Sequence, residues 1–265
     1  TIEVYRGKQA AERNFVVYSL YVMFYPQLVA GPIERPQNVL PQLKEFRPYN
    51  WDNVKEGLAR MLWGFFKKVV IADRLAMVVD RTFAHTHDSS SIALAIGAVF
   101  YSFQIYCDFS GYSDIALGAA HVMGFKIPVN FNKPYFATSP SDFWRRWHIS
   151  LSTWLRDYLY VPLGGNRKSR VRTYLNLFIV MFLGGLWHGA SWNFVIWGLL
   201  HGLYLSIHKL ITEKMNIVNS SFFKNKACKI IFILITQYLV FLTWIAFRVH
   251  NFNDMKYSIL KYIFL

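Results

Sequence analysis

A chain of 265 residues is long enough for one large domain or two small ones. Hydrophobic residues make up 54% and aromatics 18%, while charged residues reach only 17%, against about 25% in a soluble domain. This excludes a disordered chain and argues against an ordinary soluble enzyme. The net charge of +14 sits between long apolar runs. That is the pattern of membrane-protein loops held near anionic lipid. No RNA-recognition, helix-turn-helix or zinc-finger pattern accompanies it, so nucleic acid is not an expected partner. Two cysteines, Cys107 and Cys228, exclude a disulfide framework and a cysteine-based zinc site.

A first apolar run, Phe15–Ala30, ends at Gly31-Pro32-Ile33-Glu34-Arg35-Pro36, where two prolines stop a helix. The segment from Arg35 to Arg60 reads as a loop with a short helix starting near Asp52. The next run, Leu58–Val79, is interrupted by Lys67 and Lys68. Paired lysines are expensive at bilayer centre, so this helix is expected at the interface or beside a polar cavity. Ser91–Tyr106 is a clean apolar helix that runs into Cys107-Asp108-Phe109-Ser110-Gly111-Tyr112-Ser113-Asp114. A second apolar stretch, Ile115–Phe125, follows, and then an irregular loop marked by Pro128, Asn130, Asn132 and Pro134.

Ser141–Tyr160 predicts one amphipathic interfacial helix with Ser141 as N-cap. Trp144, Trp147, Leu151, Trp154 and Tyr158 share one face, and Arg145, Ile149, Ser152 and Arg156 share another. Arg167, Lys168, Arg170 and Arg172 form a basic loop, expected on the cytoplasmic side. Thr173–Trp187 is apolar but short, about 22 Å as a helix against a hydrocarbon core of about 30 Å. Trp192–Leu210 is a second apolar run, followed by Lys209, Lys214, Lys224, Lys226 and Lys229. With both basic loops on one side, the two runs form a hairpin whose turn carries His188. Ile230–Phe247 is a last long span. The chain opens on Thr1 and stops inside the apolar stretch Tyr257–Leu265, so it is expected to be part of a longer membrane protein.

His188 leads the candidates for chemistry. It lies between glycines in a broken apolar segment, where a neutral imidazole could serve as a general base; the alternative is a hydrogen-bonded packing histidine. His148, among tryptophans in Trp144-Arg145-Arg146-Trp147-His148, could orient a substrate, or could be an interfacial side chain. His201 reads as a packed or hydrogen-bonded helix residue. Asp108, Ser110 and Asp114 could line a polar tunnel or tie helices together. Gly164-Gly165-Asn166-Arg167-Lys168 lacks full P-loop spacing and reads better as a turn than as a phosphate cradle. Ser110 lacks the flanking glycine of a nucleophile elbow, and no spacing suits a metal site.

Several stretches together carry a resemblance. They are Tyr25-Pro26-Gln27-Leu28-Val29-Ala30-Gly31-Pro32-Ile33, the run from Tyr106 to Ala116, the run from Asp142 to Ser152, Tyr160-Val161-Pro162-Leu163-Gly164-Gly165-Asn166, and Gly185-Leu186-Trp187-His188-Gly189-Ala190-Ser191-Trp192. In these the chain resembles the membrane-bound O-acyltransferase family and, within it, the bacterial alginate O-acetyltransferase group. The resemblance implies an all-α, multi-spanning transmembrane bundle around a tunnel, with interfacial and re-entrant helices. Residues 1–265 would form a single such membrane domain, lacking the family's N-terminal spans.

The implied function is transfer of an acyl group, most simply acetyl, to hydroxyls of an extracytoplasmic polysaccharide, in a multi-pass protein of the bacterial inner membrane. His188 matches the family's invariant histidine and His148 its second important one. Asp108, Ser110, Trp144, Arg145, Trp187 and Asn193 are the expected substrate contacts. No tightly bound cofactor or metal is expected; the donor would be acetyl-CoA or another acyl thioester, with Arg145, Arg146 and the basic loop attracting its phosphates. Expected partners are membrane lipid, the donor and the polysaccharide, reached directly or through an extracytoplasmic acetyltransferase. The competing reading is a non-enzymatic acyl-relay channel feeding a separate transferase.

Overall fold

The structure is a computed structural model that describes residues 1–28, 30–215 and 225–264. Its helices, in chain order, are α1 (Ile2–Tyr5), α2 (Phe15–Val22), α3 (Pro36–Lys44), α4 (Trp51–Phe65), α5 (Asp73–Ala84) and α6 (Ser91–Val122). They continue with α7 (Pro140–Trp144), α8 (Ile149–Leu155), α9 (Arg170–His188), α10 (Trp192–Met215), α11 (Lys226–Arg248) and α12 (Phe252–Ile263). Among the described residues there is no strand. Among the described residues three stretches are long and apolar enough to cross a membrane: Ser91–Val122, Trp192–Glu213 and Lys226–Arg248.

The chain divides into two compact units, Thr1–Ala72 with Tyr106–Asn130, and Asp73–Ile105 with Phe131–Leu265. In the first, α4 packs on the second half of α6 through facing glycines seven residues apart. A Cβ on Gly57 would lie 2.7 Å from the Gly118 carbonyl oxygen, and one on Gly64 would lie 2.6 Å from that of Gly111. Small residues let backbones meet, and this is how helices associate where the solvent is as apolar as they are.

Backbone contact also brings the lysines between α4 and α5 against α6. Here the helix widens into π turns over Phe66–Ala72. Lys67 is buried, donates to Ser110 Oγ at 3.0 Å and pairs with Asp114. Arg60 reaches the other oxygen of Asp114 at 3.0 Å, and Lys68 pairs with Asp108 at 2.7 Å. The costly lysines and aspartates of the sequence therefore neutralise one another.

Several sequence expectations change. Phe15–Ala30 is not one helix: α2 ends at Val22, and a 3-10 turn over Tyr25–Gln27 follows, with Pro26 inside it. The apolar stretches around Asp108 belong to one 32-residue helix, α6, because each acid has a cation partner and the backbone need not break. The helix expected over Ser141–Tyr160 is broken into α7, α8 and π turns over Arg156–Tyr160. Its cap is Ser139, whose Oγ accepts from Asp142 N at 3.1 Å. Of the lysine-rich loop expected after α10, residues 216–224, with Lys224, lie outside the described residues.

The expected hairpin is present. α9 and α10 run antiparallel, joined through Gly189-Ala190-Ser191. A Cβ on Gly185 would sit 2.3 Å from the Phe194 carbonyl oxygen, and one on Gly198 would sit 2.4 Å from that of Met181. The double-glycine turn of Gly164 and Gly165 has positive φ at both positions, and Asn176 Nδ2 donates to the Gly165 carbonyl at 3.0 Å. It is a turn tied to α9.

Two stability predictions follow from the first unit. Gly57→Ala forces α4 and α6 apart and should cost about 1–3 kcal/mol, read as a lower melting temperature in detergent; Gly184→Ala, whose Cβ meets only Leu155 at 3.5 Å, should change little. Glu34 is buried with Oε1 unpartnered, and that burial pushes its carboxyl up to about 7 despite a hydrogen bond from Asn38. A raised carboxyl favours the folded state at low pH and loses that advantage as pH climbs from about 4.5 through about 7. Melting of Glu34→Gln relative to the parent should therefore be raised at pH 8 more than at pH 5.

Candidate functional site

The second unit gathers most of the candidates around the α9–α10 turn. His188 is the last residue of α9, half-buried in aromatic rings. Its ring centroid lies 5.0 Å from Trp187, 5.1 Å from Trp197 and 5.0 Å from Phe247. Among the described residues nothing hydrogen-bonds its imidazole.

His201 is the opposite case. It is 1% exposed, and both of its ring nitrogens are committed. Trp144 Nε1, which can only donate, gives its proton to His201 Nδ1 at 3.2 Å. That fixes the ring proton on Nε2, which donates to Thr243 Oγ1 at 3.1 Å, and Thr243 in turn donates to the Val240 carbonyl at 2.7 Å. The chain ties α7, α10 and α11 together in one sense, as expected of a hydrogen-bonded helix histidine.

His148 stands at the break between α7 and α8. It is buried and has φ +44°, in the left-handed region that few residues other than glycine enter, histidine among them. Its ring meets Trp187 at 6.3 Å, so Trp187 touches both His148 and His188. The turn that breaks the expected helix is what brings His148 inward. Strain of this kind persists only where the surroundings enforce it, and it gathers at functional sites.

The remaining candidates separate. Trp187 is exposed beside His188. Trp144 offers its ring but not its N–H, which His201 takes. Arg145 is exposed and 3.5 Å from Asp142. Asn193 is buried, with Nδ2 3.5 Å from the Phe247 carbonyl oxygen and Oδ1 without a partner among the described residues. Asp108 and Ser110 belong to the first unit, where lysines hold them.

Sequence reasoning missed Trp197, Trp244 and Phe247, which wall the site. Trp197 Nε1 and Trp244 Nε1 are buried and have no partner among the described residues, an unusual state for donors. A signal was there: Asn193, Trp197, His201, Tyr204 and His208 recur at helical spacing along α10.

A helical membrane protein with a histidine at the turn of a helical hairpin is the class defined by these features. The chain belongs to the membrane-bound O-acyltransferase family, which residues 8–249 match. It is 44% identical over 257 residues to the probable alginate O-acetylase AlgI of Pseudomonas putida, covering 95% of this chain and 50% of that protein. To the peptidoglycan O-acetyltransferase of Helicobacter pylori it is 45% identical over 243 residues, covering 91% and 45%. To the teichoic acid D-alanyltransferase of Bacillus subtilis it is 29% identical over 232 residues, covering 83% and 58%. The chain thus spans about half the length of its more similar curated relatives.

The strain at His148 is testable. His148→Gly relieves the left-handed backbone while His148→Ala keeps it, so the glycine variant should melt higher than the alanine variant by about 1 kcal/mol of stability. Equal melting of the two would remove the strain.

Proposed function

We propose that the chain carries the reactive site of a bacterial inner-membrane O-acyltransferase. It would move an acyl group, most simply acetyl, from a thioester donor such as acetyl-CoA to hydroxyls of an extracytoplasmic polysaccharide such as alginate. The observation that carries this is the contrast between two histidines in one aromatic cluster. His201 has spent both nitrogens on structure, while His188 keeps its own for a substrate. The relatives' names add acyl transfer to a bacterial polymer as the common theme, with acetyl or D-alanyl as the group.

In this reading His188 takes the proton from the acceptor hydroxyl as its oxygen attacks the acyl carbonyl. The new ester C–O bond forms, the C–S bond breaks, and the imidazolium returns its proton to the leaving thiolate. The aromatic cage excludes the water that would hydrolyse the donor. Trp187 and His148 hold one side of the cage, and Asn193 Oδ1 supplies an acceptor for a bound hydroxyl. Arg145 enters as a cation for the donor's anionic end. The acceptor is met directly or through an extracytoplasmic acetyltransferase.

General-base help is typically worth 10²–10⁴ in rate. In the full-length protein, His188→Gln should lower glycan acetyl content, normalised to membrane protein level, by about that factor, because an amide hydrogen-bonds but takes no proton. Near-normal acetylation would overturn the assignment and favour an acyl-relay channel.

A further inference from the structure

A cavity of about 760 Å³ opens where α7, α10 and α11 meet, within the second unit. Three cations line it, one from each helix region: Arg145 just after α7, Lys209 on α10 and Lys229 on α11. No aspartate or glutamate is among its lining residues. Asp142 and Glu213 stand beside it, 3.5 Å from Arg145 and 3.0 Å from Lys209. Ser141 adds a hydroxyl, fixed by a 3.1 Å contact to His208 Nδ1, and Ile211 and Phe232 give an apolar side.

The cavity is built into the same framework as His188. α7 is fastened to α10 twice, by Trp144 on His201 and by Ser141 on His208. Those histidines are seven residues apart, about 10 Å along the helix. Trp197, against which His188 packs, lies four residues further from His208. A ligand seated on the cations would therefore need a linear arm to reach His188 along α10.

We propose that this cavity is a binding site for a phosphate group carried on a linear, partly apolar molecule. Three cations from separate elements around one space suit a di-anionic group better than a carboxylate. Hydroxyl and apolar walls suit a phosphate bearing an arm rather than a free ion. Two sources share this chemistry, a phosphorylated thiol carrier of the acyl group and an anionic phospholipid headgroup. The carrier assignment rests on the proposed transferase function, whereas phosphate binding itself does not.

The test uses the full-length protein in neutral detergent and reads binding without turnover, so its outcome is distinct from that of the acyl-transfer assay. The soluble probes are 4′-phosphopantetheine and pantetheine, followed by thermophoresis. The lipid probes are dioleoylphosphatidylglycerol and dioleoylglycerol, followed by native mass spectrometry. Parent protein should prefer the phosphorylated member of at least one pair by tenfold or more, and the preference should shrink as salt rises. Lys209→Gln with Lys229→Gln should abolish it, while Lys209→Arg with Lys229→Arg should retain it. Preference for phosphopantetheine identifies a carrier phosphate, and preference for phosphatidylglycerol identifies a lipid headgroup. No preference in either pair by the parent protein, which requires no variant to fold, overturns the site. A preference that survives both glutamines in a folded variant also overturns it.

Discussion

The second unit depends on a contact with no side chain in it. At Gly185 and Gly198, α9 and α10 approach so closely that a single methyl on either would strike the other's backbone. In a bilayer the hydrophobic effect does little to hold helices together, so close packing must do it. That approach sets where α9 stops, and α9 stops at His188. The short turn then sends α10 back with Asn193, Trp197 and His201 in register along the same space. A bulkier residue at either glycine would shift His188 relative to Trp197 and Phe247 before it touched any reactive atom.

Around that hairpin, polar groups are divided between structure and availability. His201, Thr243 and Trp144 satisfy one another in a single directed chain and leave no capacity for a ligand. Among the described residues Trp197 Nε1, Trp244 Nε1 and Asn193 Oδ1 have no partner. Leaving buried polar atoms unpaired costs roughly 1–3 kcal/mol each, so this cluster is held together by its packing and not by its hydrogen bonds. The first unit follows the other policy, with Lys67, Lys68, Arg60, Asp108 and Asp114 closing on one another.

Hydropathy made the long spans and the hairpin legible, because α10 and α11 need little beyond apolar length. The glycine-broken segment made His188 legible. What the sequence hid were consequences of tertiary pairing. The continuity of α6 past Asp108 and Asp114 depends on cations forty or more residues away in α4 and the π turns. The break at His148, where φ is +44°, carries no glycine or proline to mark it in the sequence. Trp244 and Phe247 enter the site only because α11 folds back on α10, which no local pattern announces.

The central claim is that His188, and not His201, has an available imidazole nitrogen. Diethylpyrocarbonate acylates such nitrogens, and peptide mass spectrometry locates the adduct. On the full-length protein in detergent, His188 should be modified before His201, with acyl transfer lost in proportion, while His201 stays unmodified until the protein unfolds. Modification of His201 ahead of His188, or full activity after complete modification of His188, would contradict it.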